Sequence, residues 1–226
     1  MNLSEIIDDK YLYQSEYFDG YYLNDPKRDA MYEQERARIL KYFPHGGTVL
    51  DVGCGVGGFL SRFDDRWVKY GIEVSDYARE KAVRKGITMV RSLNVMEIES
   101  VDVVVFRGTL QHINFPMQSL YHAARILKRG GMLVVLATPD ADSLVYKIWG
   151  NLPALDAPRN WVLFGSKALV NILGRLGFKV QVLHPYWETP YANPPTDFLK
   201  FIISLFFGWR KFAFPGNMME IYARKL

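Results

Sequence analysis

The stretch Thr48 to Leu60, TVLDVGCGVGGFL, constrains this chain most. A short apolar run enters Asp51, glycines follow at 53, 55, 57 and 58, and Phe59-Leu60 resumes the apolar character. That pattern predicts a buried strand over 48–52, a tight glycine turn and a helix over about 57–64. Glycine lets the backbone come close to a ligand, and a helix N-terminus presents free N–H groups to it. A strand that feeds a helix through such a turn places the chain among α/β folds.

Gly53, Gly55 and Gly58 satisfy G-x-G-x-x-G, a dinucleotide fingerprint that is weak by itself. Asp51 is more informative, because it stands at the carboxyl end of the strand, two positions before the first glycine. A carboxylate there opposes a pyrophosphate: two like charges about 4 Å apart cost roughly 4 kcal/mol at an effective dielectric near 20. The same carboxylate favours a positively charged ligand. Lys69 to Val74, KYGIEV, reads as the next strand, over 68–73, ending in Glu73. An acid about 20 residues past the glycine turn is placed to bind ribose hydroxyls.

These residues carry a family resemblance. VLDVGCGVGGFL followed by YGIEVS resembles the first motif and the acid after it in class I S-adenosylmethionine-dependent methyltransferases. VDVVVFRGTLQHI and ILKRGGMLVVLATP are similar to that family's fourth strand and its LKPGG-strand-TP segment, with Arg129 where proline is usual. The resemblance covers about residues 27 to 183. It implies S-adenosyl-L-methionine as cofactor, a ligand with an ammonium and a sulfonium and no phosphate, which agrees with the charge of Asp51. It further implies cofactor contacts at Asp51, Gly53, Cys54, Gly55, Glu73 and Val74. After the third strand the family usually carries an acid against the adenine amino group; here Ser92, Leu93 and Asn94 occupy that place. Arg107 and Gly108 lie where the family's backbone lines the methionine part, and the Arg107 side chain is expected to point away or to pair with Asp102 or an acidic substrate.

His112, just past strand four, is the leading candidate for a general base, since histidine accepts a proton near neutral pH. A structural role there competes with it. His184, at the end of strand six, is a second candidate. In DAPRNWVLFGSKAL the family usually has histidine at the position of Asn160.

The remaining chain alternates strands and helices: helix to about Tyr42, helix 76–85, strands 87–90 and 101–106, helix 116–127, strand 132–137, a helix capped by Ser166, and strands 178–183 and 218–224. The expectation is a doubly wound, mostly parallel sheet with helices on both faces; its seven strands, the last antiparallel, are what the resemblance implies. All 226 residues fit a single domain, with an N-terminal cap (1–43) and insertions (140–164 and 184–217) forming the acceptor pocket. The cap is rich in tyrosine (Tyr11, Tyr13, Tyr17, Tyr21, Tyr22), which suits a lid.

Net charge is only +4, too mild for a nucleic-acid binder. The single cysteine precludes an internal disulfide and fits a cytoplasmic protein, and no Cys/His spacing suggests a metal. The acceptor is expected to be a small molecule or a saccharide intermediate, methylated on oxygen. A non-catalytic cofactor-binding protein and an NAD-dependent oxidoreductase remain as alternatives. Phe198 to Trp209 is apolar but too short to span a bilayer; it is expected to pack on protein, to pair across a homodimer, or, with 198–211 together, to touch a membrane surface weakly.

Overall fold

Strand β1 (Gly47–Val52) is the axis of the computed structural model, which describes residues 15, 18, 25–150, 152, 155, 160–185, 194–207 and 217–226. It pairs in parallel with β2 (Trp67–Ile72) on one side and β4 (Val101–Arg107) on the other. With β3 (Thr88–Met89), β5 (Leu127–Pro139), β6 (Phe178–Pro185) and β7 (Met218–Lys225) the sheet has seven strands in the order β3-β2-β1-β4-β5-β7-β6. The first five strands are parallel, and β7 runs antiparallel to both its neighbours. This is the doubly wound sheet that the alternating pattern predicts.

Side-chain alternation explains the two-sided burial. Leu50, Val52, Val104, Phe106, Leu133 and Val135 belong to one cluster; their sequence neighbours Val49, Val103, Val105, Met132 and Val134 belong to the other. A period of two sends successive residues to opposite faces, so a strand apolar at every position must be covered twice. Helices α3 (Pro116–Ile126) and α5 (Ser166–Arg175) cover the first face through Leu120, Ala123, Leu169 and Leu173. Helices α1 (Pro26–Leu40) and α2 (Asp76–Val83) cover the second through Tyr32, Ile39 and Ala82. The remaining helices are α4 (Leu144–Trp149) and α6 (Pro194–Phe207).

Several elements differ from expectation. The predicted helix over 57–64 is a short 3-10 turn, Leu60–Arg62. Gly53, Gly55 and Gly57 all take positive φ, which breaks a right-handed ladder before it starts. Phe59, Leu60 and Phe63 are nonetheless buried, packing edge-on between Tyr32 and Trp67. Strand β5 extends five residues earlier than expected, through Leu127, and two later, to Pro139. Ser166 is the first residue of α5 rather than its cap. Its N–H and that of Lys167 are taken by the carboxylates of Asp140 and Asp142 at 2.8 and 3.0 Å, so acids 25 residues away cap this helix. The five tyrosines of the proposed lid lie outside the described residues.

Candidate cofactor and acceptor crevice

The order β2-β1-β4 puts the topological switch between β1 and β4, and their carboxyl ends open a crevice there. The glycine turn forms its floor. Gly53 and Cys54 donate their N–H groups to the Ile72 carbonyl at 2.7 and 3.1 Å, fixing the turn to the end of β2. At Gly53, φ is +78°, and a Cβ would overlap the Thr109 side chain from the loop after β4. Two loops therefore meet at that glycine. Gly55 is different: the nearest atom to an added Cβ is the Phe18 ring at 3.5 Å. Phe18 is buried and lies 6.2 Å from the Tyr77 ring, so the N-terminal segment comes down over the turn at this residue.

Cys54 turns its thiol toward the sheet, where Gly71 has no side chain to meet it; a Cβ on Gly71 would lie 2.6 Å from the sulfur. Burial pushes the Cys54 thiol up, which keeps it protonated and unreactive. Only its backbone is available to a ligand.

Asp51 is 2% exposed, and its Oδ1 has no hydrogen-bond partner. Burial pushes its carboxyl up to about 7; the Arg107 guanidinium opposes that shift, and the charges of Glu35 and Glu73 add to it. A buried carboxylate oxygen without a donor is costly unless something else supplies one. Glu73 is better provided. Its Oε2 accepts the Gly55 N–H at 2.9 Å, and its Oε1 accepts those of Val74 and Ser75 at 2.8 and 2.9 Å. Its carboxyl too is raised by burial, against the pull of those three donors. Oε1 is filled by its two donors, and Oε2, with one, retains a lone pair for a further donor. Val74 thus contributes an N–H that orients Glu73.

Ser92 is buried, and its hydroxyl is bonded to the Asn94 carboxamide oxygen. Leu93 points into the core. Arg125 of α3 holds this loop by donating to the carbonyls of Asn94 and Met96 at 3.1 and 3.0 Å.

Arg107 turns toward α1. Its Nε donates to Glu35 at 2.7 Å, its Nη2 meets Glu35 at 3.3 Å, and its guanidinium lies 4.5 Å over the Tyr32 ring. Asp102, the partner considered from sequence, is taken instead by Lys128 at 2.8 Å and by the Thr48 N–H at 2.8 Å. Gly108 has φ +64°, and an added Cβ would stand in ordinary contact with Ala137 at 3.8 and 3.9 Å, so its constraint is conformational.

His112 ends a 3-10 turn, Leu110–His112, directly beyond β4. Its Nε2 is 3.2 Å from Gln111 Nε2, and Thr138 Oγ1 at the end of β5 is 3.5 Å from Gln111 Oε1. Gln111 is 5% exposed, and its carbonyl accepts the Trp161 N–H at 2.9 Å. The segment around 160–164 thus crosses this edge, and a bridge between Asp140 and Phe164 continues it. His184 sits opposite Glu220 on β6. That strand is three places from β4, or about 14 Å at ordinary strand spacing, so the two histidines are not brought together. Sequence reasoning assigned no role to Gln111, Phe18 or Glu35: Gln111 stands within VDVVVFRGTLQHI, but each gains its place through contacts across long stretches of chain.

The residues fit S-adenosylmethionine: a donor-seeking acid at the strand end, a glycine turn open toward the crevice and a second acid beside it. A family model described as a methyltransferase domain matches residues 25–183. Among similar proteins, a tRNA U34 carboxymethyltransferase of Desulfotalea psychrophila is 22% identical over 76% of this chain and 59% of its own length. A malonyl-[acyl-carrier protein] O-methyltransferase of a Paenibacillus species is 23% identical over 70% of this chain and 64% of its own. This chain therefore spans about three-fifths of each of those two proteins. A solved S-adenosylmethionine-dependent methyltransferase of Thermotoga maritima superposes with a TM-score of 0.59 at 19% identity, covering 92% of this chain and 98% of that one. The chain belongs to the class I S-adenosylmethionine-dependent methyltransferases. That membership decides against the oxidoreductase and the non-catalytic readings.

Proposed function

We propose that this methyltransferase methylates a hydroxyl oxygen of a small molecule or saccharide intermediate, with His112 as general base. The supporting observation is the place of His112 directly beyond the carboxyl end of β4, where its imidazole is half-buried; with the Gln111 amide turned so that its oxygen accepts from Nε2–H, Nδ1 is the atom that takes the proton. When bound, S-adenosylmethionine supplies an activated methyl group on a sulfonium.

The chain's own residues then have distinct tasks. Asp51 would receive the cofactor's ammonium, and Glu73 would offer the remaining lone pair of Oε2 to a ribose hydroxyl. Cys54 and Gly55 offer backbone to the same ligand, Ser92 and Leu93 border the adenine, and Gly108 borders the methionine part. Glu35 neutralises Arg107 and holds it on α1, so its cation does not oppose the sulfonium. His112 would take the proton of the acceptor hydroxyl and hold it as imidazolium. The N-terminal cap, which includes Phe18 and α1, and the two insertions would enclose the acceptor.

The Paenibacillus relative, an O-methyltransferase by name, supports oxygen as the nucleophile. The Desulfotalea relative acts on tRNA, but a net charge of +4 over 226 residues favours a small acceptor here. The test is transfer of labelled methyl to panels of sugars, alcohols, phenols and amines. Hydroxyl acceptors should be methylated, and His112→Asn should lower kcat by about 10²–10⁴-fold with cofactor affinity intact. Methylation of amines alone, or an unchanged rate in the variant, contradicts the proposal.

A further inference from the structure

Helix α6 (Pro194–Phe207) is inside out. Among its described side chains the buried one is Ser204, 1% exposed, whose hydroxyl bonds back to the Phe201 carbonyl at 2.7 Å. Phe198, Leu199, Ile202, Leu205 and Phe206 are all exposed, Phe206 at 80%. At 100° per residue these five fall within an arc of about 120° opposite Ser204, and the exposed Ile203 and Phe207 widen the apolar face to about 200°. Amphipathic helices in water do the reverse. An apolar face of this kind marks a surface that meets something other than solvent.

We propose that this face docks on the surface of an anionic phospholipid bilayer. The helix is about 21 Å long, too short to cross a hydrocarbon core of about 30 Å, so it lies in the interface rather than through it. Among the described residues no helix is long and apolar enough to span. The sequence that follows is Gly208-Trp209-Arg210-Lys211-Phe212, an aromatic and basic run of the kind that settles at lipid headgroups, and the chain as a whole is cationic at +4. Phe206 and Phe207, each at least 80% exposed, stand at the end that leads into it. A second copy of the chain is the weaker occupant, since it carries the same net charge of +4 and meets this face with like charge, whereas an anionic bilayer meets it with opposite charge.

The experiment is co-flotation of the full chain with phosphatidylcholine vesicles, with and without phosphatidylglycerol, at low and high salt. Binding to the anionic vesicles should be clear and should weaken with salt. The variant Ile202→Ser/Phe206→Ser should bind at least about tenfold less, with unchanged circular dichroism and unchanged S-adenosylhomocysteine affinity. Ile202 is 39% and Phe206 80% exposed, and the unchanged circular dichroism checks that the fold is kept. Failure to float with anionic vesicles, or equal flotation of the variant, overturns the proposal. So does a concentration-dependent dimer in sedimentation that the same variant dissolves, which assigns the face to a second copy. None of these readouts depends on the acceptor or on His112.

Discussion

Asp51 concentrates the electrostatics of the crevice in one side chain. Its carboxyl is raised by burial to about 7, so between about pH 4 and pH 7 the folded, unliganded chain keeps a proton that the unfolded chain has lost. The folded state binds more protons there, and this group's contribution to stability falls as pH rises through that window. Asp51→Asn removes the buried charge while keeping the shape. It should raise the unliganded Tm at pH 8 by about 2–6 °C, from roughly 1–2 kcal/mol of relieved desolvation, and leave it near wild type at pH 5; thermal scans at the two values check this. The local motif made Asp51, Gly53, Gly55 and Glu73 legible in sequence, because a strand end, a turn and the next strand end are neighbours along the chain. Gln111 was not legible. Its place depends on Thr138 and on the segment at Trp161, both far along the sequence, and a lone glutamine carries no pattern.

Between elements, α1 is joined to the tip of β4 by Arg107 and Glu35, both largely removed from solvent. Taking away one partner of such a pair strands a charge, at about 3–5 kcal/mol; replacing both by apolar groups is far milder. Glu35→Leu and Arg107→Leu should each destabilise by about that much, and the double variant by clearly less than their sum, in a denaturant double-mutant cycle. Additive losses contradict a direct coupling. The glycine turn makes a second demand. Gly53→Ala combines positive φ with overlap on Thr109 and should cost about 2–4 kcal/mol, read from the same denaturation curves, with weaker cofactor binding. Continuous β-branched runs such as Val101 to Phe106 announced their strands, because both faces are buried. The helix expected over 57–64 was misread, because apolar Phe59, Leu60 and Phe63 look the same in sequence whether a helix or a turn delivers them to the core. The caps of α5 were equally hidden, since Asp140 and Asp142 reach it only in the fold.

For the molecule as a whole, the alternation of strands and helices sufficed for a doubly wound sheet, but not for the order of its edge. The antiparallel direction of β7 has no signature in periodicity and followed from the family resemblance; its place between β5 and β6 came from neither. The outward apolar face of α6 was also unreadable beforehand, since composition does not say which side of a helix faces in. What unites the sheet, the turn and the cap of α1 is a crevice built for a cationic nucleoside at one acid. Calorimetric titration of S-adenosylhomocysteine into wild type and Asp51→Asn, at pH 6 and pH 8, tests this most directly; the paired variant cancels the ligand's own titration. Wild-type affinity should rise about tenfold over that range relative to the variant, with a proton released at pH 6, as a group at about 7 must ionise to meet the ligand. At pH 8 the variant should bind about 10–100-fold more weakly. Equal affinity in both proteins with the same pH dependence would contradict the account.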